Sequence, residues 1–365
     1  MKSENKRIII WGTGFNAKRM NDIYPNEMLQ EDIIGYVDND KNKWGESFFG
    51  KKIFSPEEIK SMEFSDIYIS INKKEEVVEQ IREMFINTSV NILDNDYFKR
   101  KKMITRYSDV RDSEIQEIIN YLRNNNLEVF NYPWVEEYKN LTIKIEREDE
   151  LFYVIHNGKK LFFSDKYDTE EKVREYYISL LIEQDKRSPH RYILDNFAVN
   201  EGDIVIDAGA AEGIFSLDII DKAGKIYIFE PESEWISALK HTFSDYMDKI
   251  VIIDKCVSNY TDFNTTTIDK VVNEPHINFI KMDIEGEEYY ALCGAANIIG
   301  NSKNIRVSVC TYHQEFAYEA IKNKLKEYGF KVDHSYGYMW YIEHFNIMRP
   351  MVLRRGLIRA EKREG

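Results

Sequence analysis

Two stretches of this chain end an apolar run on a glycine turn and continue as a helical pattern: "RIIIWGTGFNAKRM" from Arg7 and "DIVIDAGAAEGIFSLDII" from Asp203. Apolar runs that meet such a turn belong in parallel sheets covered by helices, and the carboxyl ends of those strands border the crevice where ligands bind. The chain therefore carries two candidate crevices, and each must be read for the ligand its residues suit.

The runs around each loop extend the pattern. "RIIIWG", "IIGYVD", "KKIF", "DIYISI" and "VNIL" alternate with helical stretches such as "KKEEVVEQIREMF" over residues 6 to about 97. A second series, "DIVIDAG", "KIYIFEP", "IVIIDKCVS", "INFIKMDIEG" and "IRVSVCTYH", begins near residue 190. Between them "DSEIQEIINYLRN" and "EEKVREYYISLLIEQD" have helical spacing. "LTIKIEREDELFYVIHNGKKLFFS" alternates apolar and polar residues around Asn157-Gly158, a hairpin signal. At 365 residues the chain is long for one domain. The reading is an α/β protein of two Rossmann-like units: a small parallel sheet in 1–97, a helical and β-hairpin connector in 98–187, and a second α/β domain in 188–365.

Charge and cysteine usage narrow the partners. Lys and Arg number 50 against 63 Asp and Glu, a net of 50 − 63 = −13, which argues against nucleic-acid binding. The locally basic "RPMVLRRGLIRAEKRE" reads as the end of a strand or helix followed by a solvated tail. Cys256, Cys293 and Cys310 form no CxxC pair and read as buried small hydrophobes, so neither a disulfide framework nor a zinc site is expected. The first apolar run is too short for a signal peptide and no stretch reaches membrane-spanning length. The expected compartment is the cytoplasm.

The second glycine loop has the form Asp207-x-Gly209-x-x-x-Gly213. Its leading carboxylate repels a pyrophosphate but suits a cationic ligand, and S-adenosylmethionine carries a sulfonium and an ammonium. Glu230 closes the next strand, "IYIFEP", where an acid can accept both ribose hydroxyls of an adenosine. Further on, Lys281, Asp283 and Glu285 emerge at the end of "INFIKMDIEG". Carboxylates at this end of a parallel strand face the ligand crevice and are candidates for catalysis; the alternative is that Asp283 caps the following helix and Glu285 favours its dipole.

"IDAGAAEGIFSL", "IFEP", "TTTIDKVV" and above all "INFIKMDIEGEEYYALCGA" resemble the FkbM-type family of S-adenosylmethionine-dependent methyltransferases. "SPHRY", residues 188–192, resembles the segment that leads into the first cofactor strand in larger members. The resemblance implies a seven-stranded class I methyltransferase sheet and O-methyl transfer to hydroxyls of sugars or other natural products, a carbohydrate modification. Asp207, Gly209, Ala210 and Gly213 match its first cofactor loop, Glu230 its ribose acid, and Asp283 with Glu285 its acidic block, with Asp283 also expected among the cofactor-binding residues.

A hydroxyl is a poor nucleophile until its proton is taken, which calls for a base or a metal. His313 at the end of "VSVCTYH" is expected beside Asp283 in this sheet order and is the candidate base, with His190 second. The catalytic set is thus Asp283, His313, Glu285 and Lys281. No metal is favoured, although Asp283, Glu285 and His313 are an alternative set of ligands for a divalent cation.

The first loop offers Gly12-x-Gly14-x-x-Ala17 with Asp38 closing "GYVDND", a mononucleotide fingerprint in a unit too short for a full dinucleotide fold. It resembles small Rossmann-like domains found beside sugar-processing enzymes through "GYVDND" and "SPEEI". A nucleotide or nucleotide-sugar site at Gly12, Gly14 and Asp38, a self-association module and an NAD-dependent enzyme all remain open, as does a non-catalytic nucleotide-binding scaffold. The expected acceptor is a small molecule, nucleotide-sugar or glycan, and a homo-oligomer is compatible with the sequence.

Overall fold

The computed structural model describes residues 6–86, 90–341 and 352–363. These fall into two compact units, one ending at Glu128 and the other beginning at Val129.

In the first unit, β1 (Arg7–Trp11), β2 (Asp32–Val37), β3 (Ser47–Phe48), β4 (Lys51–Phe54), β5 (Asp66–Ile69) and β6 (Asn91–Leu93) form one sheet in the order β3-β4-β2-β1-β5-β6. All neighbours are parallel except β3, which runs back against β4. Strand alternation sends Ile8 and Ile10 to one face, against Met20, Tyr36 and Phe98, and Ile9 and Trp11 to the other, against Ile67, Val77 and Ile81. Both faces are therefore covered, which is why β1 reads as an uninterrupted apolar run. Ser55 and Glu58 close a capping box on the helix Pro56–Ile59.

The second unit opens with an antiparallel sheet of β7 (Ile145–Glu148), β8 (Leu151–His156) and β9 (Lys159–Phe162). Asn157 and Gly158 make the expected turn at φ 49° and 82°, and a second hairpin turn at Asp149 and Glu150, φ 47° and 70°, precedes it. The helix Glu170–Glu183 follows, its first turn capped by Thr169.

The main sheet comprises β10 (Ile204–Ala208), β11 (Lys225–Phe229) and β12 (Ile250–Ile253). A two-residue pair, β13 (Cys256–Val257) and β14 (Thr265–Thr266), lies outside it; β15 (Phe279–Met282), β16 (Ile305–Cys310) and β17 (Lys331–His334) then continue the sheet. After the short pair β18 (Met339–Trp340) and β19 (Leu353–Arg354), β20 (Leu357–Lys362) completes seven strands in the order β12-β11-β10-β15-β16-β20-β17. The first five in that order are parallel, and β20 is antiparallel to both neighbours.

Two expectations need correction. The basic C-terminal run is not a strand end with a solvated tail: its described part holds β20, inserted between β16 and β17 with Leu357, Ile358 and Ala360 buried. Its residues 349–351 and 364 lie outside the described region. Of the three cysteines, Cys310 is buried and Cys293 half-buried, but Cys256 is exposed; all are free thiols. No helix among the described residues is long and apolar enough to cross a membrane.

Candidate active site

The carboxyl ends of β10, β11, β15 and β16 gather most of the residues singled out in the C-terminal half. Asp207 ends buried side by side with Lys281, its cross-strand partner in the β10–β15 register. The carboxylate is 0% exposed; Ser216 donates to its Oδ2 at 2.7 Å and Lys281 Nζ lies 3.0 Å from its Oδ1. Lys281 also donates to the carbonyl of Gly209. Burial depresses the Lys281 ammonium, but the charges of Asp207 and Asp283 outweigh it and hold it above its ordinary range. Asp207 and Lys281 thus form an internal ion pair that shapes the loop: the Asp207 Oδ1 is buried beside Lys281 without an aligned hydrogen bond, and Lys281 is itself buried.

Gly209 shows why the loop needs a glycine. Its φ is +76°, and a Cβ there would stand 1.9 Å from the carbonyl oxygen of Asp283. The turn after β10 therefore passes directly against the end of β15, which sets Asp283 beside the glycine loop. Ala210 is buried, and Gly213 leads into the helix Ile214–Ile219. Glu230, at the end of β11, accepts from the backbone N–H of Ala211 and of Glu232, both at 2.9 Å. Burial raises its carboxyl despite those bonds.

Asp283 is the hub. The hydroxyls of Tyr192 and Tyr312 donate to its Oδ2 and Oδ1 at 2.7 and 3.0 Å, while Nε2 of His190 and of His313 lie 3.3 and 3.4 Å away. Burial pushes the Asp283 carboxyl up, but His190, His313 and Lys281 together hold it well below the usual carboxylate range. Burial and Asp283 raise both phenols, so they remain protonated donors.

His313 sits as expected beside Asp283. Its Nδ1 is 2.9 Å from Glu288 Oε1, an ion-pair distance without hydrogen-bond alignment, and its Nε2 is 3.6 Å from Glu285 Oε2. Burial lowers the imidazole, but Glu288, Asp283 and Glu285 overcome this and raise it above its ordinary value. Glu288 is almost fully buried and is fixed by the backbone N–H groups of Ile284 and Gly286 at 3.0 and 3.3 Å. Glu285, by contrast, has a side chain 83% exposed on a left-handed backbone (φ 55°), with Tyr341 donating to it at 3.3 Å. For a cation the structure substitutes Glu288 for Glu285: ligand atoms of Asp283, Glu288 and His313 lie within 4.8 Å of one another, as do those of His190, Asp283 and Cys310.

Tyr192, Tyr312, Glu288 and Glu212 escaped the sequence reading. Glu212, inside the glycine loop, is buried, and burial together with Glu183 pushes its carboxyl up to about 7.

In the first unit, Gly12 has φ +107° and no room for a Cβ, which would meet Ile71 and Ser70 within 3 Å. Gly14 precedes the helix Phe15–Ile23. Asp38 is engaged by the chain itself: its oxygens accept from the backbone N–H and hydroxyl of Thr13, from Lys43 at 2.9 Å and from the backbone N–H of Asp40. Burial raises its carboxyl, but those donors outweigh it and hold it low.

A sheet in this order, with a glycine loop after its central strand and acids closing the next strands, defines a class I methyltransferase fold. The model of the FkbM methyltransferase domain matches residues 117–332, more than half the chain, so the protein belongs to that family and is an S-adenosylmethionine-dependent methyltransferase. Residues 4–92 match the model described as C2185-like, N-terminal. No curated protein matches the chain.

Similar solved structures include M. jannaschii TYW2 in complex with S-adenosylmethionine (12% identity, 61% of this chain and 94% of that one, TM-score 0.35). A SAM-dependent O-methyltransferase from Thermotoga maritima has 13% identity over 61% and 86%, TM-score 0.32. An rRNA methylase from Streptococcus thermophilus has 18% identity over 46% and 90%, TM-score 0.29.

Proposed function

We propose that the methyl acceptor is a hydroxyl oxygen of a sugar, nucleotide-sugar or glycan-type molecule and that His313 takes its proton. The observation that carries this reading is the set of three carboxylates around one buried imidazole. Glu288 holds the Nδ1 side, while Nε2 is turned toward Asp283 and Glu285 at the end of β15. A histidine raised by neighbouring acids is a stronger base once neutral, and the acids stabilise the imidazolium it becomes.

When bound, S-adenosylmethionine supplies a methyl group on a sulfonium. Glu230 would suit the ribose hydroxyls, and the glycine loop from Gly209 to Gly213 would hold the cofactor beside Asp283. Asp283, kept ionised, is a poor base; with its two tyrosines it serves as a fixed anchor that orients the acceptor and His313. His313 Nε2 would take the acceptor's hydroxyl proton as that oxygen receives the methyl group lost by the sulfonium, which would leave as a neutral thioether, and alignment supplies much of the rate.

A divalent cation on Asp283, Glu288 and His313 is the second reading, favoured by the proximity of their ligand atoms. We assign residues 1–97 as an accessory module, 98–187 as the connector and 188–365 as the methyltransferase domain. We place the protein in a reducing cytoplasm because all three thiols are free. The first unit's role, in nucleotide-sugar binding or self-association, is separable by light scattering with and without nucleotide-sugars.

The test is methyl transfer from labelled cofactor to a panel of neutral sugars, nucleotide-sugars and surface glycans. An O-methyl ether resists alkali, whereas a methyl ester is cleaved by it. Labelled product that is alkali-labile, or turnover unchanged in His313→Gln, would refute the assignment.

A further inference from the structure

The amino-acid end of the cofactor carries an ammonium that needs an anion, and the acid that leads the loop is already taken. Lys281 Nζ donates to the carbonyl oxygen of Gly209 and stands at ion-pair distance from Asp207 Oδ1, so the charge of the leading acid is already balanced by an internal ammonium. Glu230 accepts one backbone N–H on each oxygen at the end of β11, and its remaining lone pairs are those assigned above to the ribose hydroxyls.

Glu212 is the opposite case in the same loop. Its side chain is buried, yet among the described residues no cationic side chain lies within ion-pair distance of it. Its polar contacts are the hydroxyl of Tyr176, donating to Oε2 at 2.7 Å, and the backbone N–H of Ile214, 3.4 Å from Oε1, which leaves Oε1 with spare accepting capacity. Tyr176 is held rigidly: its ring stacks on Tyr167 at 4.5 Å and on Trp235 at 5.8 Å between centroids. Glu183 and Lys281 each act electrostatically on both Glu212 and Asp283, so the two acids border the same region of the site. A buried carboxylate without a cation is costly to ionise, and a residue of this kind is best explained by a ligand that brings the missing charge.

We propose that Glu212, positioned by Tyr176, is the anionic partner of the α-ammonium group of S-adenosylmethionine. This rests on the reading of the Gly209 loop as the cofactor loop. Glu212 shares its environment with the Tyr176 and Tyr167 phenols, Glu183 and Lys281, and burial raises its carboxyl to about 7, so without the cofactor a proton competes for it near neutral pH. On binding, the neutral carboxyl gives that proton to solvent and the carboxylate pairs with the ammonium. The sign follows: affinity rises with pH until Glu212 is ionised without help, and falls below that point.

The experiment is calorimetric titration of the full chain with S-adenosylhomocysteine and with 5′-methylthioadenosine, which lacks the amino-acid end, in buffers of different ionisation heat. Between about pH 6 and pH 7.5 the first should tighten roughly eightfold with proton release, and the second should show neither effect. Glu212→Gln keeps an acceptor for Tyr176 but no charge. It should weaken S-adenosylhomocysteine roughly ten- to a hundredfold, abolish the pH dependence and leave methylthioadenosine unchanged. Wild-type binding independent of pH, or equal losses for both ligands in Glu212→Gln, would overturn the assignment. Failure of the wild type to bind either ligand would instead overturn the cofactor-loop reading, and the Glu212 assignment with it.

Discussion

Replacing Gly209 with alanine tests the contact on which the site is built. The new Cβ would lie 1.9 Å from the carbonyl oxygen of Asp283. Carbon and oxygen approach to about 3.3 Å at closest, so the two segments must part by roughly 1.4 Å. Neither is free to move, because Ala208 is in register with Met282 and the Asp283 N–H donates to Ala208 O at 3.0 Å. The left-handed backbone adds about 1–2 kcal/mol for a residue with a Cβ, and forced repacking about 1–3 kcal/mol, giving a loss of roughly 2–5 kcal/mol. Against a typical total of about 5–15 kcal/mol the domain should still fold, with a lower urea midpoint. Displacing Asp283 by about 1 Å should also cost on the order of a hundredfold in turnover. Gly300→Ala is the control: nothing lies within 4 Å of its added Cβ and it sits in the helix Ala296–Asn301, so it should be neutral or stabilise by up to about 1 kcal/mol. A Gly209→Ala protein within about 0.5 kcal/mol of wild type and with full turnover would refute the argument that this approach positions the site.

Glu230→Gln should weaken S-adenosylhomocysteine by roughly tenfold to over a hundredfold in a protein that still folds, and calorimetry showing unchanged affinity would remove Glu230 from the ribose site. Because acids raise His313 above its ordinary value of 6.5, turnover should climb as pH passes above that value, and His313→Gln should lose this acidic limb of the rate profile. The same raised value means that protonated His313 contributes stability in full below about pH 6.5, and that this contribution disappears as pH rises through its folded value; urea midpoints against pH check it. Chelator treatment should leave methyl transfer intact, and loss of activity restored by a divalent cation would favour the Asp283–Glu288–His313 cation reading.

Strand positions and the pairing of His313 with Asp283 were legible because they follow from local patterns and sheet order: β15 and β16 lie side by side, and both residues stand just past their ends. The fate of Asp207 was not. Its neutralisation depends on the β10–β15 register that places Lys281 directly opposite, and a strand pattern alone carries no register. Tyr192 and Tyr312 meet on Asp283 from segments 120 positions apart, a convergence with no local signature. Glu288 and Glu285 lie in one acidic run, and only the turn with Glu285 in a left-handed conformation decides which faces inward. The burial of β20 was hidden by its charges: Arg359 reads as solvated, but it is buried and donates to the backbone carbonyl of Arg191.

The place of β20 also bears on how the sheet is made during synthesis. Its partners β16 and β17 emerge first, and β16 must wait some fifty residues for the strand that pairs with it. At about 5–20 residues per second a ribosome needs roughly 3–10 s to cover that interval, during which an apolar edge, Val307 and Val309 among it, has no neighbour. Long-range pairing of this kind is slow and leaves strands open to association with other chains. The nascent methyltransferase domain is therefore most vulnerable to aggregation between the emergence of β16 and that of β20, when its cofactor-side strands have already been made.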